Sequence, residues 1–267
     1  MTSSFLEAIL ARKRTEVAER RAALPERELA ARASAAPPPR PFEAALSPRG
    51  GPIRIVAELK RASPSAGRID ATLDAPAQAR RYAQGGAAAI SVLTDGPGFG
   101  GSLQDLRAVR AAVDLPLLRK DFVLDRYQLL EARAAGADAA LLIVAALPEE
   151  ALRRLLAECR ELGLAALVEV HEPAEAEVAV RAGARIVGVN NRDLRTFAVD
   201  LGTSERVLPA LPGEVKAVAE SGVRTRADAL RLRRAGAANL LVGEALVRAP
   251  DPGRLLADLS AAGEGAR

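Results

Sequence analysis

Lysine is scarce in this sequence, so the few lysine positions are informative. Of 38 basic residues only four are lysine, namely Lys13, Lys60, Lys120 and Lys216, and all the others are arginine. Arginine keeps its proton at neutral pH, whereas the pKa of a lysine withdrawn from water can fall to ~7–8, where it serves acid–base catalysis. Lysines at strand ends, in a chain that otherwise uses arginine, are therefore candidates for proton transfer, or for covalent attachment of a carbonyl compound.

Polar residues stand at or just beyond the ends of several short apolar segments. Carboxylate and ammonium groups in such positions can exchange protons with a substrate if the segments bring them together. The candidates are Glu58 and Lys60 (IRIVAELK), Lys120 (LPLLRKDF), Glu169 (LAALVEV), Asn190 and Arg192 (RIVGVNNRD) and Glu220 (VKAVAES). For any one of these residues, simple exposure to solvent is the plainer interpretation. Whether they form a common site depends on how the secondary-structure elements arrange them.

Eight apolar segments alternate with helical segments from residue 53 onward and predict β-strands: IRIVAEL, AAISVLT, LPLLRKDF, AALLIVA, LAALVEV, RIVGVN, VKAVAES and NLLVGE. Gly-Ala pairs, which suit a helix C-terminal cap, precede four of them, at Gly86, Gly136, Gly183 and Gly236. Eight such units form either a closed barrel or a doubly wound sheet, and the sheet would carry a glycine-rich nucleotide loop after its first strand. The loop here, KRASPSAG, has no such motif. We predict an α/β fold with a single (β/α)8 barrel of the TIM type.

The N-terminal segment predicts a helical extension of that barrel. Apolar side chains recur at helical spacing over residues 1 to about 35, and the following APPPRP stops the helix. The apolar positions are Phe5, Leu6, Ile9, Leu10 and Val17. We place the extension and its proline-rich linker at residues 1–48 and the catalytic barrel at residues 49–267.

Strand alternation tests whether the polar candidates share one cavity. In IRIVAELK the alternate positions are apolar and suit contact with helices, which turns Glu58 and Lys60 towards the barrel axis. The same alternation directs inward Lys120, Glu169, Asn190, Arg192 and Glu220, whereas it places Arg119 and Asp121 outside. Agreement among five strands predicts an active site at the carboxyl ends of the strands. Lys216 begins its strand at the opposite end, where polar residues serve stability, so we exclude it.

Several kinds of chemistry lack the residues that they need. The sequence has no HxH, HExxH or Cys/His cluster, so we predict no metal site. His171, the only histidine, follows the strand of Glu169, and we interpret it as a loop residue near the rim rather than a catalytic base. Cys159 shares a helical face with three leucines, and we interpret it as core packing.

Charge and hydropathy exclude further partners. The 38 basic and 34 acidic residues leave a net charge of only +4 and are interspersed along the helices, so we expect no nucleic-acid partner despite a pI of about 9.7. No apolar run approaches the ~18–20 residues of a membrane span, and the N-terminus lacks the pattern of a signal peptide. We expect a cytoplasmic monomer that binds neither membranes nor nucleic acid.

Seven segments at the strand ends can be compared with known families: AELKRASPSAG, VLTDGPGFGGSLQDL, LLRKDFVLDRYQ, LVEVHEPAE, VGVNNRDLRTF, VAESGVR and LVGEALVR. In this order they resemble the indole-3-glycerol-phosphate synthases of tryptophan biosynthesis. The resemblance of these segments runs from about residue 53 to 249, and the N-terminal helical extension also looks like that of the family. It implies ring closure and decarboxylation of 1-(2-carboxyphenylamino)-1-deoxyribulose 5-phosphate, a phosphorylated small molecule, to indole-3-glycerol phosphate without metal or organic cofactor.

The resemblance also implies roles for the candidate residues. Lys120 would be the general acid that activates the ketone, Glu169 and Lys60 would manage proton transfers in the dehydration, and Glu58 and Asn190 would hold these groups in place. Glu220, the inward carboxylate of another strand, belongs to the same catalytic set. Cations for the substrate carboxylate are Arg192 and Lys60; phosphate positions are Ser63, Ser221, Gly222, Gly243 and Glu244; the apolar wall is Phe99, Phe122 and Leu142.

Two departures from the family pattern and two rival interpretations remain open. The family often has two adjacent aromatic residues where this chain has Gly98-Phe99, and it sometimes has serine in place of Glu244, which leaves only the backbone of Glu244 to help bind phosphate. A Schiff-base barrel enzyme such as an aldolase is the nearest rival, because Lys120 or Lys60 could form an imine with a keto sugar. A binding module without chemistry is the other, and it leaves the inward polar strand ends unexplained.

Overall fold

Eight parallel strands close into a barrel in the computed structural model, which describes residues 5–65 and 67–263. Strands that follow one another along the chain are neighbours in the barrel, and the last strand pairs with the first. They are β1 (Arg54–Leu59), β2 (Ala89–Leu93), β3 (Leu117–Lys120), β4 (Ala139–Ile143), β5 (Ala165–Val170), β6 (Ile186–Asn190), β7 (Lys216–Glu220) and β8 (Asn239–Val242). The predicted (β/α)8 barrel is confirmed, with all eight strands in the predicted segments.

Helices surround the barrel and form most of the N-terminal segment. They are α1 (Phe5–Ala23), α2 (Glu26–Ala35), α3 (Phe42–Ala45), α4 (Ala75–Gln84), α5 (Gly96–Phe99), α6 (Leu103–Ala112), α7 (Arg126–Ala134), α8 (Glu149–Glu161), α9 (Pro173–Arg181), α10 (Gly202–Val207), α11 (Arg226–Arg234), α12 (Glu244–Arg248) and α13 (Pro252–Ser260). Short 3-10 turns cover Val144–Ala146, Leu208–Ala210 and Ala261–Gly263, and two short antiparallel strands, Ala62–Ser63 and Gly67–Arg68, follow β1. Cys159 lies in the buried apolar face of α8, as the sequence predicted, and burial raises the pKa of its thiol to about 12.

The Gly-Ala joints end four helices in the same way. Gly86, Gly136, Gly183 and Gly236 all have positive φ, between 85° and 107°. In each joint the following alanine donates its backbone N–H to a carbonyl five residues earlier, as Ala137 does to Ala132 at 2.9 Å. This bond closes the last turn of the helix and turns the chain into the next strand, so glycine is required by backbone conformation.

Alternation along the strands divides the core in two. Ile55, Ala57 and Leu59 of β1 pack outward against the helices, whereas Val56 joins the interior of the barrel. The interior is closed at the amino ends of the strands by Phe42 of α3, which is 1% exposed. The inward residues at the carboxyl ends therefore stand on a closed floor of side chains, which leaves the opposite mouth open for a ligand.

The N-terminal helices pack on one side of the barrel. α1 and α2 are separated at Pro25, and Val17 and Leu29 are buried against Tyr127 of α7. At the bottom of the barrel the Lys216 ammonium donates to the carbonyl oxygens of Glu43 and Leu46, at 2.5 and 2.9 Å. Lys216 thus ties α3 to β7, consistent with its exclusion from the site. The domain boundary at residues 48 and 49 stays a prediction.

Candidate active site

Lys120 stands at the centre of a group of buried carboxylates. It ends β3, and its Nζ lies 2.8 Å from Glu220 Oε2, 3.3 Å from Glu169 Oε2 and 3.9 Å from Glu58 Oε2. These carboxylates come from β7, β5 and β1, so the closure of the barrel is what brings them to one ammonium group. All four side chains are at most 12% exposed.

The charges in this group set unusual protonation states. Burial alone would lower the pKa of Lys120, but Glu220, Glu169 and Glu58 raise it far above the ordinary value for lysine. Lys120 therefore carries its proton at neutral pH, and the lowered lysine pKa that the sequence suggested does not apply to it. Burial would raise the pKa of Glu169, but Lys120 and His171 bring it below the ordinary range.

Glu220 is the carboxyl group that titrates near neutrality. Burial, together with the negative charges of Glu169 and Glu58, outweighs the attraction of Lys120 and raises the pKa of Glu220 to about 7. One oxygen of Glu220 contacts Lys120, and the other, Oε1, is buried without a hydrogen-bond partner among the described residues. The site therefore combines a protonated amine, an ionised carboxylate and a carboxyl group that can hold or release a proton.

Two glycines make room for these charges. A Cβ at Gly188 of β6 would lie 2.0 Å from Glu220 Oε1, and one at Gly243 would lie 2.6 Å from Glu58 Oε1. Glu58 in turn holds Lys60, whose Nζ is 2.8 Å from Glu58 Oε1. Because the glycines lack side chains, each carboxylate can occupy the space beside the neighbouring backbone.

A cavity of about 620 Å³ opens above these groups at the carboxyl ends of the strands. This volume lies in the range of small-molecule binding sites. The predicted site residues that line it are Glu58, Lys60, Ser63, Phe99, Lys120, Phe122, Glu169, Asn190, Arg192, Glu220, Ser221, Gly222, Gly243 and Glu244. The rings of Phe99 and Phe122 lie side by side there, with centroids 6.2 Å apart and planes tilted by 44°.

Leu142 is a correction, because it does not reach the cavity. In β4 the residues Leu141 and Ile143 point inward and line the cavity, whereas Leu142 is fully buried among the outer apolar residues beneath the helices. Successive residues of a strand face opposite sides, so a shift of one position exchanges the barrel interior for the helix layer. Strand alternation, which located the polar strand ends, also excludes Leu142 from the cavity.

The rim of the cavity carries glycine turns and several arginines. Ser221 and Gly222 both have positive φ, 65° and 85°, so the chain turns sharply directly after Glu220. Glu244 begins α12 and its Oε1 accepts from Arg248 Nε at 2.9 Å, which turns the carboxylate towards a cation. Arg192 donates from Nη1 to the carbonyl oxygen of Phe197 at 3.1 Å.

The sequence missed the contribution of α1. Phe5, Leu6 and Ile9 line the cavity, and the Phe5 ring meets Phe197 edge-on at 5.0 Å. The apolar spacing of α1 was visible in the sequence, but the spacing carries no information on which part of the barrel the helix covers. α1 is therefore part of the site rather than an appendage.

A buried ion cluster fixes α1 beside Lys120. Lys13 is 1% exposed, and its Nζ lies 2.7 Å from Asp95 Oδ1 and 2.9 Å from Asp121 Oδ1. Burial alone would lower the pKa of Lys13, but Asp121 and Asp95 raise it above the ordinary value. Asp121 directly follows Lys120 and also contacts Arg119, at 3.0 Å. The sequence assigned Lys13 no role, because it lies in a helix and not at a strand end, and only the fold shows its partners.

His171 was predicted to be a loop residue near the rim, and its contacts are more specific than that. Its Nε2 lies 3.5 Å from Glu169 Oε1, and its Nδ1 lies 3.2 Å from Glu175 Oε2.

Over the described residues no cluster of three or more metal-ligating side chains is arranged to hold an ion. Within the same part of the chain, none of the helices has the length and hydropathy to cross a membrane.

The fold and the site define a class: (β/α)8-barrel proteins with lysine and carboxylate groups at the carboxyl ends of the strands. A family model described as indole-3-glycerol phosphate synthase matches residues 6–259. An indole-3-glycerol phosphate synthase of Kineococcus radiotolerans is 51% identical over 97% of this chain and 96% of its own length. One from Streptomyces griseus is also 51% identical, over 97% and 96% of the two chains. The chain belongs to the indole-3-glycerol phosphate synthase family.

A solved structure is similar in fold alone. The crystal structure of a 3-hexulose-6-phosphate synthase aligns with a TM-score of 0.59 over 79% of this chain and 99% of that chain, at 19% identity. Similarity at this level of identity reflects the shared barrel and carries no information on the reaction.

Proposed function

We propose that this chain closes and decarboxylates 1-(2-carboxyphenylamino)-1-deoxyribulose 5-phosphate to give indole-3-glycerol phosphate, carbon dioxide and water, as a carboxy-lyase of tryptophan biosynthesis. The observation that carries the proposal is Lys120, held protonated within 3.9 Å of three buried carboxylates. Ring closure requires a cationic acid beside the ketone oxygen, and the later loss of water requires an acid and a base together.

Lys120 acts first in this proposal. The ring carbon that bears the carboxylate attacks the ketone carbon, and the ketone oxygen takes a proton from Lys120 as negative charge develops on it. Loss of carbon dioxide restores the aromatic ring. The carboxylates around Lys120 keep it charged until the substrate arrives, which is the state that a general acid needs before the reaction.

Dehydration of the ring-closed intermediate is the second step of the proposed reaction. Glu169 and Lys60 are the residues that we assign to the proton transfers by which the new hydroxyl leaves as water. Glu58 holds Lys60 at 2.8 Å, and Asn190 fixes the start of the next loop by accepting from the Arg192 backbone N–H at 3.0 Å. Glu220, with its pKa raised to about 7, is suited to store a proton beside Lys120 between the two steps.

The anthranilate end and the phosphate end of the substrate suit different groups of residues in the cavity. Arg192 and Lys60 offer cations to the anthranilate carboxylate, and Phe99, Phe122 and Leu141 offer apolar contact to its ring. For the phosphate we propose a site formed by Ser63, Ser221 and the backbone of Gly222, Gly243 and Glu244. All these groups lie in one chain, so we propose that the monomer is active. We also propose that it acts in the cytoplasm, without a cofactor and without nucleic-acid or membrane partners.

A Schiff-base reaction is the alternative that the site disfavours. Imine formation requires a neutral amine, and the carboxylates hold the pKa of Lys120 well above its ordinary range. Treatment with borohydride in the presence of substrate separates the two reactions, because only an imine is trapped as a stable adduct at lysine.

The direct test is the appearance of indole fluorescence when the anthranilate-ribulose phosphate is added to the protein. In the Lys120→Met variant we expect the fold to persist and turnover to fall by at least ~10², the lower range for loss of a general acid. Circular dichroism checks the fold. Turnover by the folded variant near that of the original protein would remove Lys120 from the mechanism.

A further inference from the structure

The imidazole of His171 bridges a site carboxylate and a helix carboxylate, and the proposed reaction gives it no role. His171 directly follows β5, and its side chain is 14% exposed. Its Nε2 lies 3.5 Å from Glu169 Oε1, and its Nδ1 lies 3.2 Å from Glu175 Oε2. The ring therefore connects Glu169 to α9, an element outside the barrel.

Glu175 fixes both the backbone and the ring of His171. Its Oε2 accepts from the His171 backbone N–H at 2.7 Å and also contacts Nδ1. A ring held in this way can point its second nitrogen in only one direction, and that direction is towards Glu169. The buried Nε2 makes no hydrogen bond within the described residues, and the Glu169 carboxylate at 3.5 Å is the charge that it faces.

The two oxygens of Glu169 consequently meet two different cations. Oε2 contacts Lys120 at 3.3 Å, and Oε1 faces His171. The charged groups that face His171 are Glu169 on β5 and Glu175 on α9. Burial alone would lower the pKa of His171, but these two carboxylates raise it to about 10, so the ring is a cation at neutral pH.

We propose that His171 is a positioning residue that orients Glu169 through the chain Glu175–His171–Glu169. The inference rests on the proposed function, because that function makes Glu169 a proton-transfer group. Without the second cation, Glu169 would keep Lys120 and a hydrogen bond to Asn190 but would lose the charge that faces Oε1, and its ionised form would lose part of its stabilisation. His171 thus keeps one oxygen away from Lys120 and available for the dehydration step.

One test needs no enzymatic activity, because His171 is the only histidine of the chain. Its ring nitrogen signals can be followed by NMR against pH in the intact protein. We expect both nitrogens to be protonated at about pH 8, and the His171 pKa to fall in Glu175→Gln but not in Glu177→Gln. Glu177 is a matched control on the same helix, and its side chain is 76% exposed. A histidine that titrates near its ordinary value of ~6.5 in the original protein would overturn the proposal.

A second test uses turnover. We expect His171→Gln to lower kcat about tenfold, less than the ~10² for loss of a general acid or base, with KM almost unchanged. The acid limb of its kcat profile should move to higher pH, because Glu169 loses a cation, whereas a merely structural role would lower the melting temperature and leave the profile in place. Glu175→Gln should change kcat in the same direction, and Glu177→Gln should not.

The outcomes separate this inference from the proposed function. If the original protein does not turn over the substrate, the proposed function fails together with the role of Glu169, and the NMR titration still shows whether the ion-pair chain exists. If it does turn over the substrate but folded His171→Gln and Glu175→Gln match its kcat and pH profile, the positioning role alone is refuted. Should His171→Gln not fold, Glu175→Gln gives the same comparison.

Discussion

Replacement of Lys13 by methionine tests whether a buried ion cluster holds the N-terminal helix on the barrel. Methionine keeps most of the length and the apolar stem of lysine and removes the ammonium group, with its charge and its hydrogen-bond donors. The ammonium of Lys13 lies between Asp95 and Asp121, both of which are at most 2% exposed. After the substitution these two carboxylates would face each other across a buried apolar side chain.

The magnitude follows from what each aspartate retains. Removal of one member of a buried ion pair costs about 3–5 kcal/mol, because the partner charge stays buried without compensation. Here Asp95 keeps Arg12 at 2.9 Å, and Asp121 keeps Arg119 at 3.0 Å together with the Thr94 hydroxyl at 2.6 Å. We therefore expect the lower value, a loss of about 3 kcal/mol in the free energy of unfolding. For a chain of this size that is roughly 6–12 °C in melting temperature.

Thermal and urea unfolding followed by circular dichroism measure this loss. Arg32→Met is the matched control, because Arg32 forms an exposed pair with Glu28 on α2 that should contribute at most ~0.5 kcal/mol. In Lys13→Met combined with Asp95→Asn the loss should be smaller than the sum of the two single losses, since the unpaired charge is removed. A loss below about 1 kcal/mol in Lys13→Met would show that Lys13 does not anchor α1, and it would refute the reasoning from uncompensated buried charge.

Three further expectations concern the barrel interior. Gly188→Ala should lower kcat about tenfold or more while the protein stays folded, because the new Cβ would lie 2.0 Å from Glu220 Oε1 and displace that carboxylate; unchanged steady-state kinetics would contradict this. Leu141→Ala should raise KM, whereas Leu142→Ala should cost about 2–5 kcal/mol of stability with little change in KM, and the reverse pattern would restore Leu142 to the site. The pKa of Glu220 is raised to about 7, so its contribution to the free energy of unfolding is complete below its unfolded pKa of 4.5 and is lost as pH rises through 7. In urea unfolding across this pH range, the free energy of unfolding should decline less with pH in Glu220→Gln than in the original protein. Equal slopes of the free energy of unfolding against pH would argue against the raised pKa.

The polar end of each strand could be predicted because two local rules act together. Alternation fixes which side chains of a strand face inward, and the direction of a parallel strand fixes which end they occupy. Both rules operate within a single strand and its flanking residues, so Glu58 and Lys60 followed from their own segment. Leu142 was assigned from the family resemblance without alternation, and the strand placed it outside the cavity.

Contacts between distant segments were beyond such rules. Two partners of Lys13, Asp95 and Asp121, lie far from it along the chain, and no periodicity in α1 specifies them. His171 shows the same limit, because the sequence showed a histidine after a strand but not the position of α9, whose Glu175 turns the ring towards Glu169.

The sequence alone determined the eight strands, the glycine-capped joints and the set of inward polar groups, since each depends on neighbouring residues and backbone conformation. The tertiary structure decided their protonation. Closure of the barrel brings Glu58, Glu169 and Glu220 to within 3.9 Å of Lys120 in a space with little water, where charges act strongly on one another. For that reason Lys120, which the sequence presented as a candidate for a lowered pKa, instead stays protonated. The group with a pKa near neutrality is Glu220.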